Sequence, residues 1–255
     1  MLERFPIRED ETLEDLGRRG FSLIQKEKGF RFGEDTVLLA HFVASMLRKK
    51  NGLRGLELGT NCGAASVLLA ARREDVVLDG IELDETAYGV FCRNVQMNEL
   101  EERIVPFQGD VRDWPPPSRK GWQYDFVFCN PPYYVPGRGA MTQGDGCSGV
   151  RNARFELNGG VEDFVRTGAK VLIPGGVFCL VHRAERLEDC FAAFGKYGVR
   201  GAALRLVHPT VDAKCSVFLL AGRKGGGAGG LRVLPPLVLR GADGGLSEEL
   251  QSIYC

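Results

Sequence analysis

The sequence predicts a doubly wound α/β domain whose mostly parallel, seven-stranded sheet ends in an antiparallel hairpin. Short apolar runs alternate with helical patterns, and a glycine-rich turn joins the first run to a helix. The last two apolar runs are separated by only a short polar link, which suits a hairpin because parallel strands need a long crossover. A chain of 255 residues can bury a sizeable core in one such domain.

Each element follows from the period of its apolar residues. The expected strands are Leu53–Leu58, Val76–Ile81, Ile104–Phe107, Tyr124–Cys129, Gly176–Val181, Ala203–His208 and Ser216–Leu220. The expected helices are Thr36–Met46, Ala64–Ala71, Asp84–Asn98, Phe155–Val171, Glu185–Phe194 and a short one from Ser247 towards Tyr254. This pattern predicts a helical N-terminal extension over 1–52 that contributes to a cofactor site, a main domain over 53–222, and a tail over 223–255 packed on that domain.

Four residues that directly follow the fourth apolar run, Asn130, Pro131, Pro132 and Tyr133, indicate a specific chemistry. A planar amide or amino nitrogen attacks poorly because its lone pair is delocalised, and two acceptors against its N–H groups would oppose that delocalisation. The side-chain oxygen of Asn130 and the carbonyl of Pro131 can supply them, since the prolines restrict the backbone. Tyr133 offers a flat face for a base. By itself, the string is equally compatible with an ordinary turn.

A glycine-rich turn upstream predicts a binding site for S-adenosylmethionine. Gly59, Thr60, Asn61 and Gly63 lie between a buried strand and a helix, where backbone can approach a cofactor closely, and Glu57 is the acidic residue that precedes the turn. Asn61 stands where a middle glycine is usual, but Asn tolerates a left-handed backbone. The glycine spacing differs from that of dinucleotide-binding turns, and the Asn130–Tyr133 string follows in the right strand. The second observation is the main reason to favour S-adenosylmethionine over NAD.

Residues at two further strand ends complete the expected cofactor site. Glu82 follows Gly63 at the distance where an acidic group meets ribose hydroxyls. Leu83 is expected to pack on the adenine ring. Asp110 and Val111, after the third strand, lie where the adenine amine of the cofactor is expected.

Composition excludes several other classes of protein. The eight cysteines are scattered without a CxxC pair and are expected to be reduced thiols. The three histidines show no ligand spacing with them, so we expect no metal site. The chain has no membrane-spanning apolar stretch and no secretory segment, which predicts a cytoplasmic protein.

The charge balance bears on a nucleic-acid partner. Zero net charge argues against one, because duplex binders usually carry a basic excess. Paired arginines still permit a local basic face, although such pairs are more often ordinary solvated surface. Arg151 and Arg154 are the pair we expect to contact a substrate, because they follow Tyr133 in a glycine-rich loop.

The chain resembles the bacterial tRNA N6-adenine methyltransferases that modify the adenine at position 37, beside the anticodon of a valine tRNA. The matching motifs are Leu13–Leu16, Ile24-Gln25, Gly29–Gly33 with Asp35 and Leu38–Ala40, Gly59–Gly63, Asn94 with Asn98, Gly109–Arg112, Asn130–Tyr133, Ala153-Arg154, Pro235–Leu237 and Ile253-Tyr254. The resemblance implies a Rossmann-like class I methyltransferase fold and direct, in-line transfer from S-adenosylmethionine to N6 of a tRNA anticodon-loop adenine.

The resemblance also implies that Phe32, Gly33 and Asp35 close the methionine end of the cofactor site. Asp35 has an equally good alternative role as the N-cap of the helix expected at Thr36–Met46.

Three other functions remain open at this point. Release-factor glutamine methyltransferases use the same four-residue string, but resemble a longer architecture with a separate helical domain in front, whereas only Met1–Gly52 precede the first strand here. DNA adenine methyltransferases usually add a target-recognition region, for which this chain has little room. The Asn61 substitution also leaves open a non-catalytic RNA-binding relative.

Overall fold

The computed structural model describes residues 5–28, 31–50, 52–133, 160–226 and 229–254. The strands are β1 Glu11–Asp15, β2 Ser22–Lys26, β3 Leu53–Leu58, β4 Val76–Glu82, β5 Ile104–Gln108, β6 Tyr124–Cys129, β7 Leu172–Arg183, β8 Val199–His208, β9 Val217–Lys224, β10 Arg232–Val233 and β11 Leu237–Val238. The α-helices are α1 Glu34–Met46, α2 Ala64–Arg72, α3 Glu85–Met97, α4 Val161–Val171, α5 Leu187–Lys196 and α6 Glu248–Tyr254. Of the helix expected from Phe155, residues 155–159 lie outside the described part of the chain.

The main sheet has the order β5-β4-β3-β6-β7-β9-β8, and β3 to β7 run parallel to one another. Strand β9 runs antiparallel between β7 and β8. The seven expected strands and their closing hairpin are therefore confirmed. Two short strands, β10 and β11, enlarge the sheet to nine because each pairs in parallel with β8. Each is only two residues long, too short to give a periodic signal.

The expectation of a helical N-terminal extension is wrong for its first half. Strands β1 and β2 form an antiparallel hairpin in which Leu13 lies opposite Ile24. Each strand has only five residues, and positive φ angles at Gly17, Arg19 and Gly20 turn the chain between them. Helix is confined to α1 within the described part of the extension.

Buried side chains cover both faces of the sheet. Helices α1, α2 and α3 pack on one face, with Leu39, Leu69 and Phe91 fully buried there. Helices α4 and α5 pack on the other face, which includes Val165 and Phe194. Because β3 to β7 are parallel, their carboxyl ends meet along one edge, where ligands bind in open α/β sheets.

Candidate active site

The turn between β3 and α2 is held by hydrogen bonds within the turn and by hydrogen bonds to β4. The N–H groups of Gly59 and Thr60 donate to the Ile81 carbonyl at 2.9 and 3.1 Å. The Asn61 N–H donates to Glu82 Oε2 at 2.7 Å, the Cys62 N–H to Asn61 Oδ1 at 2.8 Å, and the Gly63 N–H to the Thr60 carbonyl at 2.9 Å. A turn that cradles phosphates needs free N–H groups, whereas these five already have acceptors. The turn therefore lacks the row of free donors that a pyrophosphate requires.

The turn has a left-handed backbone at three positions. Gly59, Asn61 and Gly63 have φ angles of 73°, 50° and 80°, so the expectation that Asn61 adopts this conformation is confirmed. A Cβ atom at Gly63 would lie 2.0 Å from Cδ2 of Phe91, whose side chain is fully buried. Glycine is therefore required at position 63 by both backbone and packing.

Glu57 lies buried beneath the turn, near the end of β3. Its Oε2 accepts a hydrogen bond from the Ser66 hydroxyl, in the first turn of α2. Burial raises the pKa of Glu57 to about 8, although the Ser66 hydroxyl and backbone N–H oppose the rise. Glu57 therefore links β3 to α2 as a largely neutral acid at pH 7.

The two acidic residues at the ends of β4 and β5 have different environments. Glu82 accepts the backbone N–H groups of Asn61 and Asp84 at 2.7 and 2.8 Å, and burial raises its pKa. Asp110 is bound by its neighbour Arg112, whose Nε lies 2.9 Å from Asp110 Oδ1, and these contacts lower the pKa of Asp110. A ligand could therefore use only the lone pairs that these partners leave free.

The apolar neighbours of these acids also differ from each other. Leu83, expected on an adenine ring, keeps 39% of its surface exposed beside Glu82. Val111 is buried in the core that contains α4. Of the two, only Leu83 has substantial surface for a ligand.

Asn130 leaves β6 with its side-chain oxygen buried. Among the described residues, Asn130 Oδ1 has no hydrogen-bond partner. Buried polar atoms are normally paired, so an unpaired acceptor calls for an explanation. Pro131, next to it, is buried, whereas Pro132 and Tyr133 are partly buried.

Tyr133 connects the loop after β6 to the N-terminal extension. Its hydroxyl donates to Asp35 Oδ2 at 2.8 Å. Burial, followed by the Asp35 charge, raises the pKa of Tyr133 well above its usual value. This contact places Asp35 beside the loop that follows β6.

The alternative N-cap role of Asp35 is wrong. Helix α1 begins at Glu34, so Gly33 is its N-cap and accepts the N–H groups of Thr36 and Val37. Asp35 lies in the first turn instead, where its carboxylate can reach Tyr133. Phe32, before the cap, is partly buried against the core.

His182 is a candidate site residue that the sequence did not indicate. It lies at the end of β7, fully buried, with its ring centroid 5.2 Å from that of Tyr133. Its Nδ1 accepts the Arg183 N–H at 2.9 Å, so the proton of the neutral ring is on Nε2. Burial and nearby arginines lower the pKa of His182 to about 3. The sequence signal for His182 was its position at the end of β7, the strand beside β6.

Several expectations fall outside this geometry. Arg151, Arg154 and part of the Gly29–Gly33 motif lie outside the described residues.

Within the described ranges, no group of three His, Cys, Asp or Glu side chains could hold a metal ion. None of the described helices is long and apolar enough to cross a membrane. Among the described cysteines, Cys62, Cys92, Cys129, Cys179 and Cys215 form no disulfide bond.

The chain is similar in sequence to several known proteins. No protein-family model matches the chain. A tRNA1(Val) (adenine(37)-N6)-methyltransferase of Citrobacter koseri is 30% identical over 174 residues, which cover 65% of this chain and 66% of the relative. The protein of the same name from Tolumonas auensis is 28% identical over 173 residues, covering 68% and 67%. The matches thus span about two thirds of the length of these relatives.

Solved structures confirm the fold. A predicted O-methyltransferase from Agrobacterium tumefaciens matches with a TM-score of 0.66 and 22% identity, covering 86% of this chain and 95% of that one. The hMettl16 catalytic domain, solved with the MAT2A 3′UTR hairpin, matches with a TM-score of 0.62 and 16% identity, covering 88% and 79%. The chain therefore has the Rossmann-like methyltransferase fold.

Proposed function

We propose, from the membership of this chain in the family of the tRNA1(Val) (adenine(37)-N6)-methyltransferases, that it methylates N6 of an adenine in a tRNA anticodon loop. The donor is S-adenosylmethionine, and position 37 is the target. The protein acts in the cytoplasm on the anticodon stem-loop, without a metal ion. An anticodon-loop adenine lies outside a duplex, so turning it into a pocket costs less than flipping a base from duplex DNA.

The observation that carries this proposal is the buried, unpaired Oδ1 of Asn130. An acceptor without a partner costs free energy unless a ligand supplies the donor. An exocyclic amine has two N–H donors. Asn130 Oδ1 takes one and the carbonyl of Pro131 takes the other, which draws the nitrogen lone pair out of the ring and stabilises the charge that develops on attack.

The remaining residues of the loop and turn hold the reactants. When bound, S-adenosylmethionine would supply the methyl group: the new N–C bond forms as the sulfonium S–C bond breaks, the neutral thioether leaves, and the extra proton of the amine passes to water. Tyr133 stacks on the target base, and Pro132 keeps the loop backbone extended. Most of the barrier reduction comes from holding the target nitrogen in line with the methyl group and from the two acceptors, so no covalent enzyme intermediate is needed.

The donor fits the turn, whose five N–H groups are already paired, because its contacts with ribose and adenine do not require a phosphate cradle. Glu82 binds the ribose hydroxyls, Leu83 packs on the adenine, and Asp110 with Val111 receives its amine. The residues proposed for the methionine end and the turn are Phe32, Gly33, Asp35, Glu57, Gly59, Thr60, Asn61, Gly63 and Asn130. Arg151 and Arg154 bind the RNA backbone.

The test is methyl transfer from radiolabelled S-adenosylmethionine to transcribed tRNAs, deoxyoligonucleotides and a release factor in parallel. We expect label on tRNA, as N6-methyladenosine identified by mass. Label on the release factor alone would replace the RNA substrate with a glutamine amide. Failure to bind the donor would instead indicate a non-catalytic relative.

Asn130→Ala tests the residue that carries the proposal. We expect turnover to fall by about 10²-fold or more, because one acceptor at the reacting nitrogen is lost. Binding of S-adenosylmethionine, measured by calorimetry, should be largely unchanged. Substantial methylation by this variant would contradict the assigned role of Asn130.

A further inference from the structure

We propose that Asp35 is a positioning residue that acts through Tyr133 to turn the oxygen of the Asn130 side-chain amide, rather than its nitrogen, towards the target amine. This inference rests on the proposed function, because it concerns the acceptor for the methylated nitrogen. It gives Asp35 a role separate from any contact with the methyl donor.

The amide of Asn130 presents an orientation problem. Its oxygen accepts hydrogen bonds and its NH₂ group donates them, yet the two ends have nearly the same shape. With the nitrogen towards the pocket, Asn130 would place donors against the donors of the target amine. The surroundings must therefore favour one orientation before the substrate binds.

Asp35 determines the direction of the first hydrogen bond. A carboxylate accepts only, so the Tyr133 hydroxyl must be the donor in its 2.8 Å contact with Asp35 Oδ2. A phenol has a single proton, and this contact uses it. The Tyr133 oxygen can then only accept hydrogen bonds from other groups.

The second hydrogen bond follows from the first. The NH₂ group is the end of the Asn130 amide that can donate to the Tyr133 oxygen. In agreement, Asn130 lowers the pKa of Tyr133 against the rise that burial and Asp35 cause. The other end of the amide, Oδ1, is the buried atom without a partner among the described residues. That arrangement is the one that methyl transfer requires.

Packing holds the ring of Tyr133 in place for this relay. The His182 ring lies 5.2 Å from the Tyr133 ring, and Phe218 lies 6.5 Å beyond, stacked on His182. Both His182 and Phe218 are fully buried. The direction of the Tyr133 hydroxyl is thereby restricted.

Removing Asp35 should allow the Tyr133 hydroxyl to interfere with the reaction. In Asp35→Ala, the freed hydroxyl can donate to Asn130 Oδ1 and occupy the acceptor, so we expect kcat at saturating donor and RNA to fall by about 10²-fold. In Tyr133→Phe, the ring remains, but no hydroxyl oxygen is left to fix the orientation of the Asn130 side-chain amide. We expect a loss of only about 2- to 10-fold there, because one orientation must be selected on binding.

The double variant separates this relay from other roles of Asp35. Asp35→Ala/Tyr133→Phe should match Tyr133→Phe and be faster than Asp35→Ala, since the harmful hydroxyl is gone. Donor affinity, measured separately for each variant, corrects for any contact of Asp35 with the donor. Multiplicative losses of kcat would overturn the inference. The control Glu34→Ala removes the neighbouring carboxylate of the same helical turn and should leave kcat unchanged.

A spectroscopic measurement tests the relay independently of activity. The side-chain NH₂ resonance of Asn130, assigned by its loss in Asn130→Ala, should shift in Tyr133→Phe and stay in place in Glu34→Ala. An unchanged resonance in Tyr133→Phe would reject the relay. Absence of tRNA methylation by the wild-type protein would instead reject the proposed function, with the resonance test still decisive for the relay.

Discussion

At the scale of single residues, position 63 has no room for a side chain even as small as one methyl group. Its φ angle is 80°, and a Cβ atom there would collide with the buried ring of Phe91. We expect Gly63→Ala to lower the free energy of unfolding by about 2–4 kcal/mol, combining backbone strain with overpacking. Gly175→Ala is the matched control, because Gly175 has a φ angle of 77° but nothing within 4 Å of its Cβ position. Equal losses in urea unfolding would show that packing against Phe91 is unimportant.

Glu57 should make stability depend on pH. Its pKa rises from 4.5 to about 8 in the folded protein, so the folded state binds a proton more tightly than the unfolded state. Its contribution to stability is therefore complete below pH 4.5 and is lost as the pH rises towards 8, by at most about 1.4 kcal/mol per pH unit. Glu57→Gln keeps an acceptor for Ser66 and should remove this slope. Identical pH slopes for the two proteins in urea unfolding would contradict the prediction.

Some of the candidate site residues could be proposed from the sequence on physical grounds. Asn130 was proposed because the prolines that follow it restrict the backbone around its side chain. The left-handed backbone of Asn61 was predicted because Asn tolerates that conformation. The role of Asp35 was open because an acid near a helix start has two possible roles. The start of α1 at Glu34 excludes the N-cap role, and the carboxylate of Asp35 instead contacts Tyr133, 98 positions away in the chain. His182 was missed because its closeness to Tyr133 depends on the strand order, which places β7 beside β6.

At the scale of elements, α3 holds the N-terminal hairpin through two asparagines. Asn94 exchanges hydrogen bonds with the N–H and carbonyl of Ile24 at 2.7 and 2.9 Å, and also donates to the Cys62 carbonyl at 2.8 Å. Asn98 makes the same pair of contacts with Ser22 at 3.0 and 2.8 Å. Asn94 therefore joins the hairpin, α3 and the turn between β3 and α2.

Replacement of Asn94 by Ala should cost about 2–4 kcal/mol, because it leaves buried backbone groups of Ile24 and Cys62 without partners. Limited proteolysis should then cut the hairpin faster, and donor affinity should fall. Gln96→Ala, on the exposed side of the same helix, should change neither property. Normal hairpin protection in Asn94→Ala would mean that apolar packing alone holds β2.

The seven strands of the main sheet were predictable because each is a buried run bounded by turns. The hairpin of the extension was missed because five-residue strands with mixed polarity resemble irregular chain. Its stability comes instead from Asn94 and Asn98, which belong to an element some seventy residues later in the sequence.

At the scale of the whole molecule, the hairpin, the core and the tail meet at one carbonyl oxygen. Arg72, at the end of α2, donates to the Ile253 carbonyl at 2.6 Å, and Arg18 of the hairpin turn donates to it at 3.3 Å. Burial, followed by the Arg18 charge, lowers the pKa of Arg72 to about 10. The fully buried Leu250 anchors the same helix, α6.

We expect Arg72→Ala to loosen α6 while leaving the sheet intact. A hydrogen bond from a charged group contributes about 1.5–3 kcal/mol, so amide exchange in α6 should accelerate by about 10-fold or more. Exchange in β3 should not change. Arg200→Ala, an exposed cation on β8, is the control. Unchanged exchange in α6 would show that Leu250 and Ile253 suffice to hold it.

The tail illustrates why the arrangement of parts is hard to predict from sequence. Its packing on the domain was expected, but the pairing of β11 with β8 depends on residues thirty positions away, and the contact with Arg18 joins residues 235 positions apart. Only local patterns were available to predict it.

The two asparagines of α3 also have a consequence for solubility. Hairpin β1–β2 is a two-stranded sheet, and the outward backbone groups of Ser22 and Ile24 would otherwise form an open strand edge. Such edges recruit strands from other molecules and start aggregation. Because Asn94 and Asn98 already occupy the N–H and carbonyl groups of both residues, no row of free groups remains there for a second chain to join.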